Sequence, residues 1–236
     1  MFWLLVVAGF GLLSLAHVAP FPFLLDAIAP APALWSMPTS DGPQTVYLTF
    51  DDGPNPTATP QLLDVLAESN VRATFFLIDQ YVTDDTAPLV RRMFHEGHAV
   101  GLHAHTRALM ALSPGQVSRR LKAAENRIER LTGSRPCKAF RPHAGWRSSQ
   151  LYQGLAEIDY VLVGWGWSLW DFNWYRPPDP VVLAERLAGR ISGGDIVVIH
   201  DGHHENQTAN RQYAIDAVAM LIPTLRADGY AFGTIC

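Results

Sequence analysis

Two adjacent carboxylates, Asp51 and Asp52, close the apolar run Val46-Tyr47-Leu48-Thr49-Phe50 and are followed at once by Gly53-Pro54. A β-branched and aromatic run that ends in acids, glycine and proline reads as a buried strand stopping in a polar turn. Successive strand residues point to opposite sides, so the two acids need not share a role. Other polar residues recur at comparable places: His103 and His105, then Arg141 and His143, then Trp167, Asp171, Asn173 and Trp174, then His200 and Asp201. Carboxylates and imidazoles are the groups that move protons and hold metals. Each alone has an ordinary reading as a turn former or a packed, hydrogen-bonded side chain. Together, at the ends of different strands, they match the way a barrel builds its site.

The elements that must position them alternate along the chain. Apolar runs predict strands at 46–50, 73–78, 99–102, 138–141, 160–164, 196–199 and 230–235. Helical periodicity predicts helices at 57–69, 88–96, 114–131, 148–158, 180–191 and 210–228, with Val117, Leu121, Ala124, Ile128 and Leu131 forming one stripe. Repeated βα units with short connections imply a parallel sheet with helices outside. The expected fold is α/β, a (β/α) barrel left incomplete at seven strands, forming one domain over 43–236.

Composition narrows the partners. A net charge of −4 and a pI near 6.1 offer no basic field for nucleic acid. Residues 1–28 hold no Lys or Arg and a single acid, Asp26. The apolar stretch 2–25 is long enough to cross a bilayer and lacks the basic start of a signal peptide. It is expected to be a signal or membrane anchor on an exported protein, with the proline-containing stretch 29–42 as a linker. Cys137 and Cys236 are compatible with an oxidising compartment, and their pairing is open.

The chain resembles the polysaccharide deacetylases, carbohydrate esterase family four, over about 45–236. Thr49-Phe50-Asp51-Asp52-Gly53-Pro54 matches the family's first motif, and Gly97-His98-Ala99-Val100-Gly101-Leu102-His103 is similar to the approach to its first metal histidine. Phe140-Arg141-Pro142-His143-Ala144-Gly145-Trp146, the stretch Trp167 to Trp174, and Ile196-Val197-Val198-Ile199-His200 correspond to the remaining three. The resemblance implies Asp51 as catalytic base, Asp52 and His103 as ligands of a divalent metal, zinc first, and Arg141 as the partner of the base. It also implies the Ala144 N–H as an oxyanion donor, His200 as catalytic acid, Val198 or Ile199 in an acetyl-methyl pocket, and Trp174 in a sugar-stacking wall. Packing roles remain open for Val198 and Trp174.

Two departures stand out. Arg107 occupies the place of the family's second metal histidine, and a cation there would repel a metal, so a weak or absent metal site is expected unless His105, or else His203 or His204, takes over as the ligand. Asn173 stands where an aspartate normally adjusts the catalytic histidine, so His200 is expected to be less basic. The implied activity is metal-assisted hydrolysis of N-acetyl groups on an amino-sugar polysaccharide, chitin-like or peptidoglycan. The alternative, favoured by Arg107 and Asn173, is a weakly active or inactive glycan-binding module of the same fold.

Overall fold

The computed structural model describes residues 33–39, 42–169, 171 and 176–236. The expected anchor at 1–28, together with Asn173 and Trp174, lies outside the described residues. No helix among the described residues is long and apolar enough to cross a membrane.

The strands are β1 (Ala33–Leu34), β2 (Thr45–Gly53), β3 (Thr74–Ile78), β4 (Ala99–His103), β5 (Ala139–Arg141), β6 (Val161–Val163), β7 (Trp167–Ser168), β8 (Ile196–His200) and β9 (Ala231–Phe232). They pair in the order β1-β6-β5-β4-β3-β2-β8-β7, with β9 added to β2. All the strand pairings are parallel. Among the described residues six α-helices pack around them: α1 (Ala58–Glu68), α2 (Ala87–His95), α3 (Pro114–Thr132), α4 (Ser149–Ala156), α5 (Pro180–Ala188) and α6 (Gln212–Ala227). The result is the incomplete (β/α) barrel that the βα rhythm predicts.

Two short strands escape the sequence pattern. β7 is two residues long, too short for any periodicity to show. β1 falls inside the stretch read as a linker, yet its register with β6 (Ala33 opposite Leu162, Leu34 opposite Val163) makes it a strand of the sheet. Trp35 beyond it covers Gly164, where a side chain would collide with the indole. The described part of that stretch therefore belongs to the domain.

Burial on both faces explains why the strands read as continuous apolar runs; Thr-Phe-Phe-Leu-Ile of β3 is buried throughout. The larger apolar cluster lies between sheet and helices, where α3 contributes Val117, Leu121, Ala124 and Ile128. The smaller one gathers Phe76, Ala139, Val163 and Ile196 from four different strands. α3 starts at Pro114 with the Gln116 side chain accepting from the Ser113 N–H at 2.9 Å, and stops at Gly133, whose φ of 78° suits a glycine. Cys137 and Cys236 form a disulfide across 99 residues, tying the C-terminus to the entry of β5.

Candidate active site

The site begins with an irregularity in β2. Asp51 pairs with Phe76 and Gly53 with Leu77, so Asp52 is an extra residue, and it has a positive φ of 69°. Strict alternation would send the two acids to opposite sides. The bulge cancels that alternation and brings both carboxylates to the carboxyl end of the sheet. Gly202 allows β8 to close on this bulge: a side chain there would run into the Asp52 carbonyl.

Asp51 is held from β5. Arg141, fully buried, donates to Asp51 Oδ1 at 2.7 Å and to Thr49 Oγ1 at 2.6 Å through one nitrogen, and to the Gly164 carbonyl at 2.9 Å through the other. Its guanidinium carbon also sits 4.1 Å from the centroid of Phe76. The carboxylate is thus buried, aimed and charge-compensated.

Asp52 faces His103 at the end of β4. The His103 Nδ1 lies 2.9 Å from the Arg141 carbonyl, which can only accept, so Nδ1 carries the proton and Nε2 is left to point at Asp52 Oδ1, 3.2 Å away. Beyond the His103 ring, that buried oxygen has no partner among the described residues. Two buried electron-pair donors facing one another call for a cation between them. The third donor is His143, in the 3-10 turn His143–Gly145 that follows β5; ligand atoms of Asp52, His103 and His143 all lie within 4.8 Å of one another.

His105, the expected substitute ligand, is not in this group. It lines a cavity of about 280 Å³ between Asp79, Arg120, Leu109 and Leu121 instead. His204 stacks on His143 with ring centroids 4.5 Å apart, and His203 on His204 at 4.4 Å.

Electrostatics support a cation site. Burial works against ionising Asp52, but His103 in its protonated form, through a hydrogen bond and its charge, and then His200 and His143 outweigh it and hold the carboxyl well below its usual range. Asp51 and Asp52 in turn raise His103 against its own burial, so that without a metal a proton on Nε2 is the cation the pair shares. Burial, reinforced by His103 and His204, pushes His143 down to about 3, so its imidazole is neutral with a lone pair to give. One carboxylate and two imidazoles form a donor set that suits zinc.

Across the site, His200 ends β8. Its Nδ1 lies 2.8 Å from Asp171 Oδ1, and its own backbone N–H donates to Asp171 Oδ2 at 2.6 Å. Asp171 therefore orients this imidazole. The expectation of a less basic His200 fails with that assignment: burial lowers its pKa, but the Asp171 charge and hydrogen bond, followed by Asp52 and Asp51, outweigh burial and raise it to about 9. Asp171 is itself clamped. Arg211, buried, donates to the Asp171 carbonyl at 2.8 Å and to the Gly202 carbonyl at 2.7 Å, and the Tyr213 hydroxyl donates to the same Asp171 carbonyl at 2.5 Å.

The remaining expected residues fall around these. Ala144 has a positive φ of 52°, strained for a residue with a side chain, in the turn that carries His143. Val198 is 3% exposed on the face of β8 that also carries His200, apart from both apolar clusters. Asp201 lies buried behind the acids, with the Thr59 hydroxyl on its Oδ2, and burial pushes its carboxyl up to about 7.

Sequence reasoning missed three roles. His143 and Asp171 stood at strand ends with the other candidates but carried no assignment, and Arg211 with Tyr213 gave no signal, because a buried arginine donating to main-chain carbonyls leaves no spacing pattern.

Comparison with known proteins agrees with this geometry. Residues 39–163 match the polysaccharide deacetylase family. A chitooligosaccharide deacetylase of Bradyrhizobium sp. (strain ANU 289) is 35% identical over 202 residues, which cover 80% of this chain and 88% of the relative. The crystal structure of the Bc1960 peptidoglycan N-acetylglucosamine deacetylase is similar with a TM-score of 0.75 and 27% identity, covering 89% and 94% of the two chains. A family 4 acetyl xylan esterase from Clostridium thermocellum, solved with a cobalt ion, is similar at a TM-score of 0.71 and 32% identity over 81% and 88%. On the match of more than half its length and on these likenesses, the chain belongs to the polysaccharide deacetylase family.

Proposed function

We propose that this protein hydrolyses N-acetyl groups from the amino sugars of a polysaccharide, with a divalent metal, zinc by its donor set, held by Asp52, His103 and His143. The observation that carries this reading is a pair of couples beside those donors, Asp51 with Arg141 and His200 with Asp171, whose Asp51 and His200 are register partners at the ends of neighbouring strands. When bound, the metal supplies Lewis acidity to the acetyl carbonyl and lowers the pKa of water. Asp51 takes the proton from the attacking water, in the orientation that Arg141 imposes. The Ala144 N–H, in its strained turn, donates to the oxyanion. His200, protonated below about pH 9, gives its proton to the departing nitrogen as the C–N bond breaks. The products are acetate and a free amine.

Both departures behind the binding-module alternative are offset in the structure: Asp171 supplies the anion that Asn173 lacks, and His143 supplies the donor that Arg107 lacks. A base and an acid each locked by a buried partner serve turnover, whereas a binder needs neither. Export is part of the same proposal, supported by the Cys137–Cys236 disulfide and the apolar stretch at 2–25.

The test is acetate release by the purified full chain from N-acetylglucosamine oligomers and from peptidoglycan. Release that stops with a chelator and returns with zinc is expected. A zinc-loaded chain that binds these glycans and releases no acetate would establish the binding module instead.

A further inference from the structure

Arg107 has lost the metal-binding role of its position and has no place in the chemistry above. It is exposed, and among the described residues no carboxylate pairs with it. Nor does it wave freely in solvent: its guanidinium carbon lies 5.3 Å from the centroid of the Trp146 ring. Arg107 follows the strand that delivers His103, and Trp146 directly follows the turn that carries His143. The pair therefore joins the two loops that bring the metal donors together, and the arginine's charge is felt at His143. A guanidinium held near an aromatic face by its charge keeps its N–H groups available to a further partner. Those groups form a planar fork of donors, the shape that receives a carboxylate in two parallel hydrogen bonds. The whole chain carries a net charge of −4, so an acidic polymer gains no general attraction and needs a local cation.

We propose that Arg107, held over Trp146, is the receptor for a carboxylate of the glycan, which selects a carboxylate-bearing polymer, such as a peptidoglycan strand stripped of its stem peptides, over a neutral chitin-like one. The inference rests on the glycan-hydrolase reading for its substrate, but it concerns recognition, and binding can be read without turnover. A peptidoglycan strand stripped of its stem peptides carries a free lactyl carboxylate on every second sugar, whereas in the peptide-bearing strand that carboxyl is tied up as an amide; chitin carries none.

The test compares affinities of the full chain, within minutes of mixing, for two tetrasaccharides: one alternating N-acetylglucosamine with N-acetylmuramic acid, and chitotetraose. The wild-type chain is expected to prefer the acidic ligand, and Arg107→Ala to shrink that preference by about tenfold, the effect of one charge-assisted hydrogen-bonded pair. Methyl esterification of the carboxylate should cost the wild type a similar factor and the variant nothing. Arg107→Lys, which keeps the charge without the fork, should fall between. An unchanged preference in Arg107→Ala, or an ester that binds the wild type as well as the acid does, would overturn the proposal. Carboxylate-dependent binding without acetate release would instead remove the hydrolase reading and leave this one standing.

Discussion

Asp51→Asn is expected to cut acetate release by roughly a thousandfold, within the range that a positioned general base contributes. Asparagine keeps the size of the side chain and an acceptor for Arg141, but cannot take a proton. The substitution also strips the only carboxylate paired with Arg141 among the described residues, leaving a buried cation uncompensated. Breaking such a pair costs about 3 kcal/mol, which for a domain of this size lowers the melting temperature by roughly 10 °C. The loss of activity must therefore be measured on the folded variant, well below its melting point. A rate within tenfold of wild type on folded protein would remove Asp51 from the role of base.

Asp171→Asn is expected to lower the rate at neutral pH by about a hundredfold or more, for a reason visible in its two contacts. Both carboxylate oxygens accept, one from the His200 backbone N–H and one from Nδ1. Asparagine has a single oxygen, so its amide would face one of these donors with N–H groups of its own. The imidazolium would also lose the neighbouring anion that stabilises it, and its pKa should fall from about 9 back toward the ordinary histidine value. In the wild type the rate should stay supported on the acid side and decline as pH rises through about 9; in the variant that decline should begin at lower pH. Stability follows the same sign. A histidine raised in the folded state contributes fully below its unfolded pKa of about 6.5 and loses that contribution as pH rises through its folded value. The wild type should thus lose stability between about pH 6.5 and 9, and Asp171→Asn should flatten that slope. Identical pH–rate and pH–stability profiles for the two proteins would dissociate Asp171 from His200.

Much of this architecture is legible in the chain because parallel strands buried on both faces leave continuous apolar runs, as Thr74 to Ile78 does, and because helices such as α3 carry both a stripe and caps. The site is legible only where a role follows from a strand end. Asp51, Asp52, His103, Arg141 and His200 all close strands, and the structure brings all five together. What was hidden depends on backbone detail. Alternation cannot foresee the bulge at Asp52, which turns two neighbouring acids into one site. A one-residue reading of loops cannot tell that Asp171 meets His200, because the two-residue strand β7 sets that register. Nor does spacing along β4 reveal that the third donor comes from another strand: His105 is nearer in sequence to His103 and lines the same cavity, yet it is not among the grouped donors, while His143 arrives from the end of β5.

The most direct test is zinc content and affinity of the full chain, wild type beside His143→Ala and His105→Ala. One zinc per chain is expected in the wild type and in His105→Ala, and at least roughly a hundredfold weaker binding in His143→Ala, since a catalytic zinc rests on three protein donors. Zinc retained by His143→Ala and lost by His105→Ala, or a wild-type chain that takes up none from zinc-replete buffer, would contradict that expectation.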